Sequence, residues 1–296
     1  MSESCERISE PEWAAYVAID WADQKHFWTL QAAGSGPRER GELPATPEAV
    51  EAWAGELAAR FGGRPIAVAL EQTRGPLVWM LTKYAHFVLF PVHPTTLAKF
   101  REAFYPSGAK DDPADADLLL DLLTQHRSRL RCLHPDTPQT RQLQFLVEHR
   151  RALVGERTRH TNRLTDLLKL YFPQILAWFE DLDSPIVSAF LRKWPTLEQA
   201  QKAHPQTLRR FLQQHHGRSE RTEERLAQIR QACPAIRDTA VRETSVLAVQ
   251  HLLAMLEVLR SAIAEYDRRI HQLAAEHPDF AVFASLPGAA LSWSRD

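Results

Sequence analysis

The chain has 296 residues, 44% hydrophobic and 25% charged, a make-up that suits one large or two moderate globular domains and excludes disorder over the whole length. Its net charge of −1 hides an asymmetry: residues 1–136 carry 14 Lys and Arg against 19 Asp and Glu, whereas residues 137–296 carry 22 against 18. An acidic part followed by a mildly basic one predicts two modules with different tasks. The N-terminus from Met1 to Glu12 is acidic and has no apolar stretch, so it is not a secretory signal. No uninterrupted run of about 18 apolar residues occurs, so no membrane span and no membrane partner is expected. Cys5, Cys132 and Cys233 lie far apart with no CxxC pair. That argues against a cysteine-based zinc site or a disulfide framework and fits a reducing cytoplasm. A Walker loop, a strand-borne GxGxxG, an HExxH and a GxSxG elbow are all missing, which disfavours nucleotide-dependent enzymes, zinc hydrolases and serine hydrolases.

In chain order, Ala15 to Asp20 (AYVAID) predicts a buried strand ending on a carboxylate. His26 to Gln31 predicts a second strand and, after the Gly34-Ser35-Gly36-Pro37 turn, Arg38 to Leu43 a third. Pro47 to Phe61 has helical spacing with proline in its first turn, and Gly62-Gly63 ends it. Pro65 to Glu71 (PIAVALE) is another buried strand ending on a carboxylate, Gly75 to Tyr84 is helical, and His86 to Val92 is a fifth strand. Three strands, then helix, strand, helix, strand, is the order of an RNase H-like fold, although alternation alone suits other α/β layers equally well. Beyond about residue 137 strand signals vanish. Arg141 to Tyr171 predicts a long helix, and short helices follow, broken near Pro185, Pro195, Pro205 and Gly217. Val249, Leu252, Leu256, Leu259, Ile263, Tyr266, Ile270 and Leu273 are then spaced 3-4-3-4-3-4-3. This heptad seam predicts one long helix packed on a partner helix, either that of residues 141–171 or one from a second protomer.

The chemistry-bearing residues are acids. Asp20 and Glu71 end predicted strands, where side chains project into the crevice that open α/β sheets use for ligands. A third acidic group lies in Lys110-Asp111-Asp112-Pro113-Ala114-Asp115-Ala116-Asp117, at the start of a predicted helix running to about Gln125. Asp112 and Asp115, three apart on that helix, share a face. Four converging carboxylates repel one another unless a cation joins them or some are protonated. An oxygen-only set favours Mg²⁺ or Mn²⁺, and two such ions about 4 Å apart assist phosphodiester chemistry on DNA or RNA. Taken singly, each acid has a plainer role: strand-terminal acids also cap helices or pair with arginines, and acids at a helix start are favoured by its dipole.

The same residues resemble a family. Val17-Ala18-Ile19-Asp20, with His26 six residues on, resembles the first motif of the transposases of the insertion-sequence one-ten family. Leu70-Glu71-Gln72-Thr73-Arg74-Gly75 resembles their second. Val92-His93-Pro94, Phe100-Arg101 and Lys110-Asp111-Asp112-Pro113-Ala114-Asp115-Ala116 resemble their third, usually Lys-Thr-Asp-x-x-Asp-Ala. The long helix after residue 137 and the run to Phe283-Ala284-Ser285-Leu286-Pro287-Gly288 match the family's layout, so the resemblance covers nearly the whole chain.

The resemblance implies a RuvC-like RNase H-fold catalytic domain over residues 1–136, a helical, coiled-coil-like region over 137–280, and at 281–296 the start of a truncated helix-hairpin-helix transposase domain. It implies a DNA transposase or site-specific recombinase of a mobile element. Asp20, Glu71, Asp112 and Asp115 would be the catalytic, metal-binding acids (a DEDD set), with Mg²⁺ or Mn²⁺ as cofactor. Asp111 stands at the motif's threonine position and Asp117 lies outside it, so neither receives a catalytic role. His26 is expected to pack or to support the site rather than touch substrate. Gln72 and Arg74 depart from the small residues usual in the second motif. In the family the Leu-Pro-Gly segment opens a further domain of roughly another hundred residues, which supplies a serine nucleophile for strand transfer. Ser292 and Ser294 do not match that serine's motif.

Lys110 and, on the long helix, Arg150, Arg157, Arg159 and Arg163 are expected to contact nucleic acid, binding phosphate in a salt-sensitive way. Arginines also decorate the solvent face of long helices. DNA is the expected partner, and some family members also use a structured guide RNA. The family's sharing of serine and acids between protomers implies a homo-oligomer, a dimer or tetramer. Two other readings remain open: a free-standing RuvC-like nuclease with water as nucleophile, and a non-catalytic transposase remnant that binds nucleic acid.

Overall fold

The computed structural model describes residues 12–34, 36–104, 112–134, 136–216, 219–281 and 285. The chain divides into two compact units, residues 1–135 and 136–296. Of the expected C-terminal segment at 281–296, only Ala281 and Ser285 lie within the described residues.

The first unit is built on a five-stranded mixed sheet of β1 (Ala15–Asp20), β2 (Lys25–Ala32), β3 (Glu39–Pro44), β4 (Ile66–Leu70) and β5 (Phe87–Pro91). The order across the sheet is β3-β2-β1-β4-β5. β1 to β3 form an antiparallel meander, and β4 and β5 add parallel to β1. The parallel strands alternate with α1 (Pro47–Phe61) and α2 (Pro76–Leu81), and α3 (Pro94–Phe104) and α4 (Asp112–His126) follow. Sequence explains the placement. β4 reads Ile-Ala-Val-Ala-Leu with every residue buried, as a strand covered on both faces must. β3, with Glu39, Arg40 and Glu42, takes an edge, where charge opposes unwanted pairing.

The two faces bury different residue sets. Val17, Ile19, Leu30, Val68 and Leu70 pack with Trp53, Leu57, Leu77 and Leu81 on the α1/α2 side. Ala18, Ala67, Ala69 and Phe90 pack with Leu97, Leu119, Leu120 and Leu123 on the α3/α4 side. Small alanines on that second face let α4 lie close across β1, β2 and β4. Each fully buried Leu, Ile or Val contributes about 1.5–3 kcal/mol relative to exposure. Helix α1 is bounded as its sequence dictates. The Thr46 side chain accepts the Ala49 N–H at 3.3 Å, proline opens the first turn, and Gly62 closes the helix at φ 63°, a left-handed cap suited to glycine.

The second unit is helical: α5 (Pro138–Tyr171), α6 (Gln174–Trp178), α7 (Pro185–Lys193), α8 (Leu197–Lys202), α9 (Pro205–His216), α10 (Ser219–Gln231) and α11 (Thr239–Ala275). The two long helices, each about 50 Å at 1.5 Å per residue, pack on each other. They run antiparallel, with Thr140 near the start of α5 meeting His277 just past the end of α11. Of the heptad seam, Val249, Leu252, Leu256, Ile263 and Ile270 are buried. The seam's partner in this chain is α5, whose Leu164 and Leu168 share a core with Val249, Leu252 and Leu256. An aromatic cluster closes one end of that core, with the Phe190, Trp194 and Phe211 rings 5.2–5.9 Å apart.

By length and composition α11 is apolar enough to cross a membrane, although its sequence holds no unbroken apolar run. Polar residues are interspersed on a helix whose apolar residues cover two faces. One is the seam against α5. The other exposes Leu247, Ala254, Met255 and Val258 along one stripe.

Candidate active site

The carboxyl edge of the sheet carries two of the expected acids side by side. β1 and β4 are parallel neighbours with Ile19 opposite Leu70, so the next residues, Asp20 and Glu71, leave adjacent strands together. Strand alternation assigns their face. Ile19 and Leu70 point to the α1/α2 core, while Ala18 and Ala69 point to α4. Asp20 therefore falls on the α4 side, and the same alternation carried one residue past β4 puts Glu71 there too. Both are half-buried. After Glu71 the chain turns sharply into α2 through Gly75 at φ 140°, where a Cβ would stand 2.5 Å from the Gln72 Oε1. That turn explains a glycine at the end of the second motif.

The third acidic group arrives on α4, which lies over β1, β2 and β4 on that same face. Asp115, in its first turns, is 5% exposed. Its carboxylate is gripped at both oxygens by Arg101 of α3, with Nε donating to Oδ1 at 2.9 Å and Nη2 lying 2.7 Å from Oδ2. This is the bidentate geometry that makes guanidinium–carboxylate pairs strong. Asp112 opens α4 in the backbone, but its side chain lies outside the described residues, as do Lys110 and Asp111. Among the described residues no group of three or more His, Cys, Asp or Glu is placed to hold a metal ion. Asp20 and Glu71 thus share an edge and a face, and Asp115 lies on the helix that covers that face, without the described acids closing into a cage. As oxygen donors they fit a hard cation such as Mg²⁺ or Mn²⁺.

Two further ion pairs fix α4 to the edge strand. Arg40 meets Asp117, with Nε 3.1 Å from each carboxylate oxygen and Nη2 2.6 Å from Oδ2. One turn on, Arg38 Nη2 donates to Asp121. Arg38 and Arg40 are two apart in an extended segment and so face alike, while Asp117 and Asp121 are four apart on a helix and do the same. These pairs set where α4 sits along the sheet, and sequence reading did not find them. The alternating arginines were the available signal. Arg101 and Asp115 were both visible within the third motif, but their pairing was not.

His26 is buried (1% exposed) opposite Leu43 in the β2–β3 pairing. Phe27 is opposite Asp20, so alternation directs His26 to the other face of the sheet. Its Nδ1 accepts the Ala22 N–H at 3.3 Å across the β1–β2 turn, and its Nε2 is buried without a partner. Burial pushes its imidazole below the ordinary value of 6.5.

Of the arginines expected to bind nucleic acid, Arg150, Arg157 and Arg159 sit on α5 in ion pairs among the described residues. Arg150 engages both oxygens of Asp267 on α11. Arg157 Nε lies 3.5 Å from Asp183 Oδ2, a carboxylate that Arg260 also approaches at 3.0 Å. Arg159 pairs with Glu156 one turn back. Arg163 is exposed.

The mixed sheet with acids at its carboxyl edge, followed by a helical unit, is the make-up of an α/β transposase domain with its helical extension. A family model described as a transposase of the DEDD, IS110 type matches residues 17–173, more than half of the chain, and the chain belongs to that family. It is 29% identical over 210 residues to the protein named "Putative transposase y4uE" of Sinorhizobium fredii, a match covering 69% of this chain and 57% of that protein, under two thirds of its length. It is 27% identical over 293 residues to the "Mini-circle putative transposase for IS117" of Streptomyces coelicolor, covering 94% of this chain and 69% of the relative.

Proposed function

We propose that the chain is the acid-bearing part of a metal-dependent DNA transposase or site-specific recombinase of an insertion sequence. In this reading the first unit is an RNase H-like, RuvC-like catalytic domain. Support comes from the strand order β3-β2-β1-β4-β5, with an antiparallel meander followed by parallel strands. Residues 137–280 are read as the family's coiled-coil-like region, and 281–296 as the start of its C-terminal domain.

The observation that carries the reading is the emergence of Asp20 and Glu71 from adjacent parallel strands on the face that α4 covers with Asp115. Asp20, Glu71, Asp112 and Asp115 would hold Mg²⁺ or Mn²⁺. The bound ions would supply positive charge to the attacking and leaving oxygens of a DNA phosphodiester. The chain's own carboxylates orient that charge. α4, clamped through Asp117 and Asp121, would present the third and fourth acids to the same site. A serine nucleophile from a further domain, in the same or another protomer, would complete strand transfer.

DNA is the proposed partner, with a structured guide RNA as a second. A dimer or tetramer is proposed as the working state, supported by the exposed apolar stripe at Leu247, Met255 and Val258. Phosphate binding is proposed for Lys110, Arg150, Arg157, Arg159 and Arg163. Arg150 and Arg157 also tie helices together, so Arg159 and Arg163 test this role most cleanly. Replacing both with Ala should weaken DNA binding and flatten its salt dependence. Unchanged affinity at several salt concentrations would remove them from the interface.

The deciding experiment is Asp20→Asn in a Mg²⁺-dependent strand-cleavage and joining assay. Loss of turnover with an unchanged circular dichroism spectrum supports the assignment, and retained full activity refutes it.

A further inference from the structure

We infer that Arg101 is a built-in counter-ion that occupies Asp115 when no metal is bound and competes with the divalent cation for it. The inference rests on the proposed metal-binding role of the acid edge.

Asp115 is nearly inaccessible (side chain 7% exposed), and a carboxylate so placed is costly unless a cation meets it. In this fold the cation is a guanidinium. Arg101 reaches across from α3, its side chain 24% exposed, and takes both oxygens at 2.7–2.9 Å. The two residues are fourteen apart and on different helices, so the pair is not a by-product of helical spacing. Asp117 and Asp121, further along α4, are each paired with an arginine of their own, Arg40 on β3 and Arg38 just before it. α4 is therefore already anchored to the sheet without Arg101. What Arg101 adds is a single positive charge beside the acid expected to serve as a metal ligand.

With Asp115 turned to Arg101, the described acids do not form a metal-holding group. Assembling the site needs Asp115 to share or exchange its partner. A divalent cation arriving there meets the guanidinium charge within a few ångströms, a repulsion that a partly buried site screens poorly. Arg101 thus holds the Asp115 carboxylate through both oxygens, and weakens metal affinity as the consequence.

A merely structural Arg101 and a competing one predict opposite effects of its removal. If the pair only pins α3 to α4, its loss loosens the site and metal binds more weakly. If Arg101 competes, its loss destabilises the metal-free protein but tightens metal binding. The test titrates Mn²⁺ into the full chain, followed by calorimetry and by the Mn²⁺-induced rise in melting temperature, for the unaltered protein, Arg101→Gln and Arg101→Lys. The expected result is a metal-free melting temperature below that of the unaltered protein for Arg101→Gln. Its Mn²⁺ affinity should be about tenfold higher or more, and its Mn²⁺-induced stabilisation larger. Arg101→Lys, which keeps the charge but not the fork, should stay near the unaltered affinity. Equal or weaker Mn²⁺ binding by a folded Arg101→Gln overturns the inference while leaving the metal site standing. If neither the unaltered protein nor Arg101→Gln binds Mn²⁺, the metal reading itself fails and the inference goes with it. Should Arg101→Gln not fold, Arg101→Lys decides: an affinity several-fold below that of the unaltered protein would overturn competition, because the charge is kept and only the geometry changed.

Discussion

The two units use the same interaction, an arginine bound to an aspartate, for different ends. In the first unit Arg38, Arg40 and Arg101 bind Asp121, Asp117 and Asp115, all on α4. Three guanidiniums thereby bind one acid-bearing helix that covers a face of the sheet. In the second unit Arg150, Arg157 and Arg260 bind Asp267 and Asp183, joining elements whose cores are already apolar. An ion pair's importance therefore comes from what its partner carries. On α4 it sets the placement of candidate ligands, whereas along the long helices it adjusts packing that the leucine seam already specifies.

The largest expected effects lie at the acids. Asp20→Asn or Glu71→Gln should reduce metal-dependent strand cleavage by about a hundredfold or more, since a bound metal supplies several kcal/mol of charge stabilisation. Both variants should melt near the unaltered temperature. A substitution in the helical unit should show the reverse pattern. Leu256, fully buried in the seam core, changed to Ala, should cost about 2–5 kcal/mol of stability, read by denaturant unfolding and by faster hydrogen exchange along α5. An unchanged exchange rate in α5 would mean that the seam does not hold the two long helices together.

The next effect is smaller and sharpens the contrast within the first unit. Arg38→Ala removes the clamp on α4 from just before β3 while leaving that of Arg40 and the Arg101 pair in place. It should cost about 1 kcal/mol or less, because the pair is partly exposed, yet lower the rate of strand cleavage more than the stability loss accounts for. An effect confined to stability would show that α4 is positioned by its leucines alone.

The smallest effect is one of pH. Burial lowers both His26 and His86 below their ordinary value of 6.5. The folded protein holds these imidazoles neutral, so between the lowered value and 6.5 the unfolded chain binds more protons. The stability they contribute is complete above about pH 6.5 and drains away as the pH falls through that window. Urea titrations from pH 7.5 to 5 should show this loss in the first unit, and His26→Gln should flatten it. A slope unchanged by that substitution would assign the loss to other groups.

How much of this was legible in the sequence depended on period and on reach. The strand from Ala15 to Asp20 and the helix from Pro47 to Phe61 were read with the bounds they have, because two-residue alternation, proline and paired glycines are local signals. The expectation that Asp20 and Glu71 end strands also rested on local pattern, and their adjacency follows from a register that no local pattern encodes. Arg101 bound to Asp115, and Arg40 to Asp117, join residues 14 and 77 positions apart. Such pairs depend on how α3, α4 and β3 meet in space. On α5 the row of arginines suggested an open basic face. The acids that meet Arg150 and Arg157 come from distant elements, so the helix's own sequence gave no sign of them.

The most direct test of the account is anomalous X-ray diffraction from crystals of the full chain equilibrated with Mn²⁺. The account predicts anomalous density at the carboxyl edge of the sheet, coordinated by Asp20 and Glu71 with the acids of α4 closing the site and Arg101 displaced from Asp115. Full occupancy elsewhere, with Asp20 and Glu71 making no contact to the ion, would contradict it.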